Sequence, residues 1–331
     1  ANHDQDNWFL QIEPFDPHEP YYLPFDPEHP EETELSFDPG YKGKYFDWPD
    51  YRKASDYDNR EVEHVRALYA ALVQRCDRYL GKLMDKLDAY GLWKDTMLIV
   101  GTDHGFLLGE HGWMGKNRMP TFTEIANTPL FVHDPRTSDS QGKRCSALVQ
   151  TIDIAPTLLE YFGIPIPPDM QGLPLGTVHT PGGNGREAAL FGLHGGHINV
   201  TDGRYVYMRA PLDPDNRDLY NYTLMPTHIY SLFTPQELAD CELVDPLSFS
   251  KGCKVLKIRA LAPSHNTYQH TLGDFLFDLH HDPQQKVNLV GSETDTVERM
   301  QRLMVALMRH NDAPPESYVR YGLEKHIHHD A

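Results

Sequence analysis

Asp103, His104, Glu110, His111 and Lys116 fall within one short polar stretch in which Gly105, Gly109 and Gly112 recur. Adjacent carboxylate and imidazole side chains can share one divalent cation where a turn lets neighbouring side chains converge, so Asp103 and His104 are candidate metal ligands. The glycines permit backbone to approach a ligand closely. Lys116 supplies a compact charge with three donors, suited to holding a non-bridging sulfate or phosphate oxygen or to protonating a leaving oxygen. Its spacing alone equally fits a solvated surface lysine. A second candidate is His18, in the proline-rich segment Pro14-Phe15-Asp16-Pro17-His18-Glu19-Pro20.

These residues need elements to position them. Residues 8–13 are strand formers that run into the prolines, and residues 96–101 form a short apolar run of the kind buried on both faces of a sheet. An open α/β sheet binds ligands outside the carboxyl ends of its strands, which directs His18 and the Asp103-His104 pair toward one site. Before the second strand, Val62, Val65, Tyr69, Leu72, Cys76, Tyr79, Leu83, Leu87 and Tyr90 are spaced by threes and fours, predicting a long amphipathic helix ended by Gly91. Helix-then-strand order predicts a mostly parallel α/β sheet flanked by helices, continued by a strand at 129–132 and a helix at 152–162 with proline in its early turns. This α/β part is expected over residues 1–175.

Residues 176–331 read as a smaller α+β subdomain. Strands at 188–193, 205–209 and 275–279 would form an antiparallel sheet, closed by a helix at 293–309 whose apolar stripe is Val297, Met300, Leu303, Met304 and Leu307. Residues 22–60 read as a long surface excursion and 212–273 as an irregular insertion. His194 and His197, in Leu193-His194-Gly195-Gly196-His197, are candidates for lining a substrate cleft or, as the other reading, for late metal ligands. The histidine-rich segment from His326 to Asp330 reads as frayed chain.

The chain of 331 residues is 40% hydrophobic, enough for a sizeable core. A net charge of −18 with no dense basic cluster argues against a nucleic-acid partner, and an anionic substrate would need a few placed cations or a metal to hold it. No apolar run is long enough for a membrane-spanning helix, and the first residues lack the layout of a signal peptide. Compartment and oligomeric state have no sequence signal. No two cysteines are spaced C-x-x-C; Cys76 lies on the helical stripe as a buried thiol, while Cys241 and Cys253 could pair or stay reduced.

The run from Tyr69 through Asp77, Gly81, Leu87, Gly91, Leu92 and Thr96 to Thr102-Asp103-His104-Gly105, Leu108-Gly109-Glu110-His111-Gly112 and Lys116 resembles the sulfatase family of the alkaline phosphatase superfamily. So do Phe9 to Tyr21, with Pro17-His18-x-Pro20, and Leu276-Phe277-Asp278-Leu279-x-x-Asp282-Pro283 with Asn288-Leu289. The resemblance implies an alkaline-phosphatase-like fold and hydrolysis of a small-molecule or carbohydrate sulfate ester. It implies Asp103 and His104 as ligands of one divalent cation, calcium first and manganese second, with Lys116 and His18 contacting the sulfate group. Arg118, His194 and His197 join as substrate-binding candidates. The family's nucleophile is a formylglycine made from cysteine in Cys-x-Pro/Ala-x-Arg, a context that Cys76, Cys145, Cys241 and Cys253 all lack. The expectation is therefore a C-terminal portion of a sulfatase, inactive alone, with formylglycine in a preceding half. Gly81, four residues after Asp77, stands where two-metal relatives would place a histidine ligand. Phosphonate monoester or phosphodiester hydrolysis within the superfamily is one alternative. Another is a non-catalytic module that recognises sulfated glycans through Lys116, His18 and Arg118.

Overall fold

The computed structural model describes residues 6–23, 37–137, 142–178, 185–215, 217–225, 227–260 and 269–327. The chain forms two compact units, Ala1–Lys116 with Asn127–Lys143, and Asn117–Ala126 with Arg144–Ala331. The strands of the first unit are β1 (Arg52–Lys53), β2 (Leu98–Gly101), β3 (Leu107–Leu108), β4 (Trp113–Gly115) and β5 (Leu130–His133).

The long helix, α1 (Asn59–Tyr90), starts where a capping box satisfies its first amides: the Asp58 carboxylate accepts from Arg60 N at 2.7 Å and Glu61 accepts from Asp58 N at 2.9 Å. It ends at Gly91, whose φ of 64° is the left-handed cap that glycine adopts without a Cβ penalty. Val62, Val65, Leu68 and Leu72 bury against Tyr21, Phe46, Tyr57 and Met114. The far half of the stripe is less covered: Leu87 is buried, but Tyr79 and Tyr90 are about half exposed.

Two expectations for this unit change. Residues 8–13 form no strand, and Phe9, Leu10 and Ile12 are mostly exposed, because strand-forming side chains need a ladder partner and none pairs with this segment among the described residues. β2 pairs antiparallel with β5, Leu98 opposite His133 and Gly101 opposite Leu130. A parallel neighbour needs a crossover, usually a helix, and the chain between β2 and β5 holds only the four-residue helix α2 (Thr123–Ala126). The other sheet of the unit, in the order β1-β4-β3, is antiparallel as well.

The second unit continues with α3 (Ile154–Tyr161), α4 (Leu175–Val178), β6 (Ala189–Gly192), β7 (Ile198–Thr201), β8 (Tyr205–Arg209), β9 (Tyr220–Thr223), α5 (Pro235–Leu238), β10 (Glu242–Val244), β11 (Val255–Arg259), β12 (Phe275–Asp278), α6 (Thr294–His310) and α7 (Pro315–Arg320). An antiparallel sheet in the order β12-β8-β7-β6 packs one face on α6, where Met300, Met304, Val305 and Met308 meet Val200, Tyr207 and Leu276. The expected strands and closing helix are present; β7, whose alternating Ile-Asn-Val-Thr is only four residues long, is additional. Residues 144–175 group with this unit, not with the residues before them. Buried Asp153 accepts from Leu173 N and from Arg186, and Gln150 donates to Leu190 O.

The 212–273 insertion is more regular than its composition suggests. β9, β10 and β11 form a three-stranded antiparallel sheet, in which Lys257 of β11 pairs with Glu316 of α7 at 3.0 Å. Short irregularly spaced strands leave a weak period, so the pairing is a product of the ladder itself. The tail also differs: His326 lies in a turn of 3₁₀ helix, is buried, and bonds Gln301 Oε1 at 2.9 Å. Residues 328–330, like 24–36 of the long excursion, lie outside the described residues. None of the four cysteines is in a disulfide.

Candidate active site

β4 delivers Lys116. Its last residue, Gly115, has a φ of 121°, and a Cβ there would stand 2.7 Å from Cγ of Tyr51, so only glycine lets the Tyr51 ring lie over the strand end. Tyr51 directly precedes β1, whose Arg52 pairs with Met114. The loop bearing His18 is tied to α1 through Asp16, which accepts from Arg75 at 3.0 Å, and turns back through a His18 N to Phe15 O bond of 3.0 Å. Phe15 and Trp48 flank the His18 ring, with centroids 4.6 and 5.7 Å away.

These two loops bring together side chains 98 residues apart: Lys116 Nζ lies 2.7 Å from His18 Nε2. The His18 Nδ1 faces the Glu19 carbonyl at 2.5 Å. Nδ1–H therefore donates to that carbonyl, and Nε2 keeps its lone pair for the ammonium. Beneath both lies a residue that composition and spacing did not single out. Glu19 is 1% exposed, its Oε2 is 3.3 Å from Lys116 Nζ, and its Oε1 accepts from the Tyr51 hydroxyl. Its position directly after His18 was the available signal.

Asp103 and His104 follow β2. His104 Nδ1 bonds Gly105 O at 3.0 Å, which leaves Nε2 with the lone pair, 3.6 Å from Asp103 Oδ2. In metal-binding histidines one ring nitrogen is held by a carbonyl or carboxylate and the other faces the ion; here Gly105 O holds Nδ1, leaving Nε2 as the donor beside Asp103. The Asp103 side chain is 84% exposed, so its oxygens are open to a ligand. The donor set fits part of a divalent-cation site; among the described residues no three His, Cys, Asp or Glu side chains converge on one point. Glu110, by contrast, is spent locally: it accepts from Leu108 N at 2.6 Å and pairs with Arg66 of α1.

Arg118, His194 and His197 belong to the second unit. Arg118 is exposed. His194 and His197 line a cleft of about 720 Å³ together with Tyr220, Tyr222 and Arg320. His194 is exposed and reaches Tyr220 O at 3.1 Å. His197 is 2% exposed, with Nδ1 at 2.9 Å from Gln269 Oε1 and Nε2 at 2.8 Å from Gly273 O. Burial holds its imidazole below the usual histidine range, and both ring nitrogens are taken up in fixing the loop.

Comparison with known proteins gives the class of the fold. A solved 2-O GAG sulfatase superposes with a TM-score of 0.54 at 15% identity, over 80% of this chain and 47% of that one. A phosphonate monoester hydrolase of Agrobacterium radiobacter gives 0.51 at 20% identity, over 79% and 44%. The class is thus an alkaline-phosphatase-like α/β fold. The family model described as Sulfatase matches residues 1–164, and that described as N-sulphoglucosamine sulphohydrolase, C-terminal, matches residues 109–243. An N-acetylglucosamine-6-O-sulfatase of Bacteroides thetaiotaomicron is 36% identical over 107 residues, 32% of this chain and 19% of that protein. The chain belongs to the sulfatase family, and it spans less than half the length of these solved relatives. The sulfatase family generally implies a metal ion and a formylglycine.

Proposed function

We propose that this chain carries the leaving-group side of a sulfatase active site and serves the hydrolysis of a sulfate ester, with a sulfated carbohydrate as the substrate class. The observation that supports this most directly is the meeting of Lys116 and His18 at 2.7 Å from loops far apart in sequence. In this reading Lys116 donates to an oxygen of the sulfate ester and supplies the proton to the leaving oxygen, while His18 Nε2 orients the ammonium. Asp103 and His104 would hold the divalent cation, whose chemistry is to neutralise and orient the ester oxygens. Carboxylate oxygen favours calcium, and the imidazole makes manganese the second choice. The carbohydrate assignment draws on the relatives, which include the 2-O GAG sulfatase and the N-acetylglucosamine-6-O-sulfatase. Within the second unit, we assign exposed His194 to lining the cleft beside Tyr220, and His197 to holding the loop that carries it.

The test is turnover of matched aryl sulfate, phosphonate and phosphate esters by the protein as encoded, compared with Lys116→Ala. Loss of about 10²–10³ in rate on the sulfate ester is expected for removal of one charged contact to the transition state. Near-normal turnover by the variant defeats the assignment. A preference for the phosphonate ester would move the reading to the phosphonate monoester hydrolases, whose fold is shared.

A further inference from the structure

We propose that Glu19 is a positioning residue that sets the charge of the anion site, favouring a singly charged sulfate ester over a doubly charged phosphate monoester. This rests on reading Lys116, oriented by His18, as the group that receives the substrate's oxygens. Glu19 is 1% exposed, and a carboxylate so buried persists as a charge only when paired and hydrogen-bonded. Its Oε2 is 3.3 Å from Lys116 Nζ and 3.4 Å from His18 Nδ1, and its Oε1 holds the Tyr51 hydroxyl. Its charge is felt beyond these partners: burial and then Glu19 push the phenol of Tyr21 far above the usual range.

The consequences concern both geometry and charge. An ammonium has three donors; Lys116 directs one to His18 and one to Glu19, which leaves one for a substrate oxygen. The positive charge of Lys116 is cancelled locally by Glu19, and His18, accepting from Lys116, adds none. The cradle therefore offers directed hydrogen bonds with little net charge. A sulfate ester brings one negative charge into it. An ionised phosphate monoester brings two, and the second meets the Glu19 carboxylate across a few ångströms of low-dielectric interior. At about 6 Å and an effective dielectric constant of about 20, near that of protein surfaces, this repulsion corresponds to on the order of a hundredfold in affinity.

The test uses the 331-residue chain and two small anions, methyl sulfate and methyl phosphate, with affinities measured by calorimetric titration at fixed ionic strength. Methyl phosphate loses its second proton at about pH 6, whereas methyl sulfate stays singly charged. At pH 8 the wild type should bind methyl sulfate more tightly, and Glu19→Gln should shrink that preference on the order of a hundredfold by gaining affinity for methyl phosphate. If Glu19→Gln does not fold, the wild type alone decides: between pH 5 and 8 its affinity for methyl phosphate, relative to methyl sulfate, should fall. A relative affinity that rises with ionisation, or an unchanged preference in Glu19→Gln with binding still dependent on Lys116, overturns the role of Glu19 alone. Absence of methyl sulfate binding, or its persistence in Lys116→Ala, overturns the anion-site reading itself and the proposal with it.

Discussion

Gly115→Ala is the substitution by which the structure makes its sharpest demand on a single atom. Gly115 sits at a φ of 121°, and the added methyl would lie 2.7 Å from Cγ and 2.9 Å from Cβ of Tyr51. Holding a non-glycine residue in such a sparsely populated backbone region costs about 1–3 kcal/mol. The overlap is with the root of the Tyr51 side chain, which cannot swing clear as a flexible tip would, and overpacking of this kind costs about 1–3 kcal/mol more. Partial relaxation shares some strain between the two, so the expected destabilisation is about 2–5 kcal/mol. It should appear in guanidinium unfolding followed by tryptophan fluorescence, since Trp48 and Trp113 both report on the first unit. Any relaxation that moves Tyr51 also withdraws its hydroxyl from Glu19 and loosens Lys116, so methyl sulfate affinity should fall along with stability. A change in stability under about 0.5 kcal/mol, the level of an ordinary surface substitution, would refute the claim that this glycine makes room for Tyr51.

Two further perturbations probe the second unit. Met304→Ala empties a fully buried position between α6 and the four-stranded sheet, and should cost about 2–5 kcal/mol in thermal or chemical unfolding. The Asp278 carboxylate accepts from Arg204 Nε and Nη2, from His281 and from His280 N, and the Arg204 guanidinium above all holds it far below the usual carboxylate range. A carboxylate with a depressed folded pKa contributes stability that is full above its unfolded pKa and lost as pH falls toward the folded one. Arg204→Ala should therefore move the acid-unfolding midpoint to higher pH, and an unmoved midpoint in circular dichroism would count against this account.

Local pattern predicted local structure well. The spacing from Val62 to Tyr90, with a glycine at Gly91, specifies α1, because a helix is stabilised by contacts three and four residues apart. The stripe of α6 and strands β8 and β12 were legible for similar reasons. The segment at 8–13 was misleading, since strand propensity says only that side chains fit a pleated surface and is silent on whether a partner strand exists. The sheet β9-β10-β11 was hidden for the converse reason: three short strands with weak alternation are held by each other's backbone hydrogen bonds.

The same division runs through the site. Asp103 and His104 are neighbours in the chain, so their convergence after β2 could be read from order alone. So could the proximity of Glu19 to His18. Sequence by itself thus determined the family, the long helix and which residues could do chemistry. Only the tertiary structure decided that Lys116 meets His18, that Glu19 lies buried between them, and that Tyr51 holds Glu19 from a third segment. Such contacts join residues tens of positions apart through two-residue strands and a single glycine, and loop closure over that distance leaves no period in the sequence.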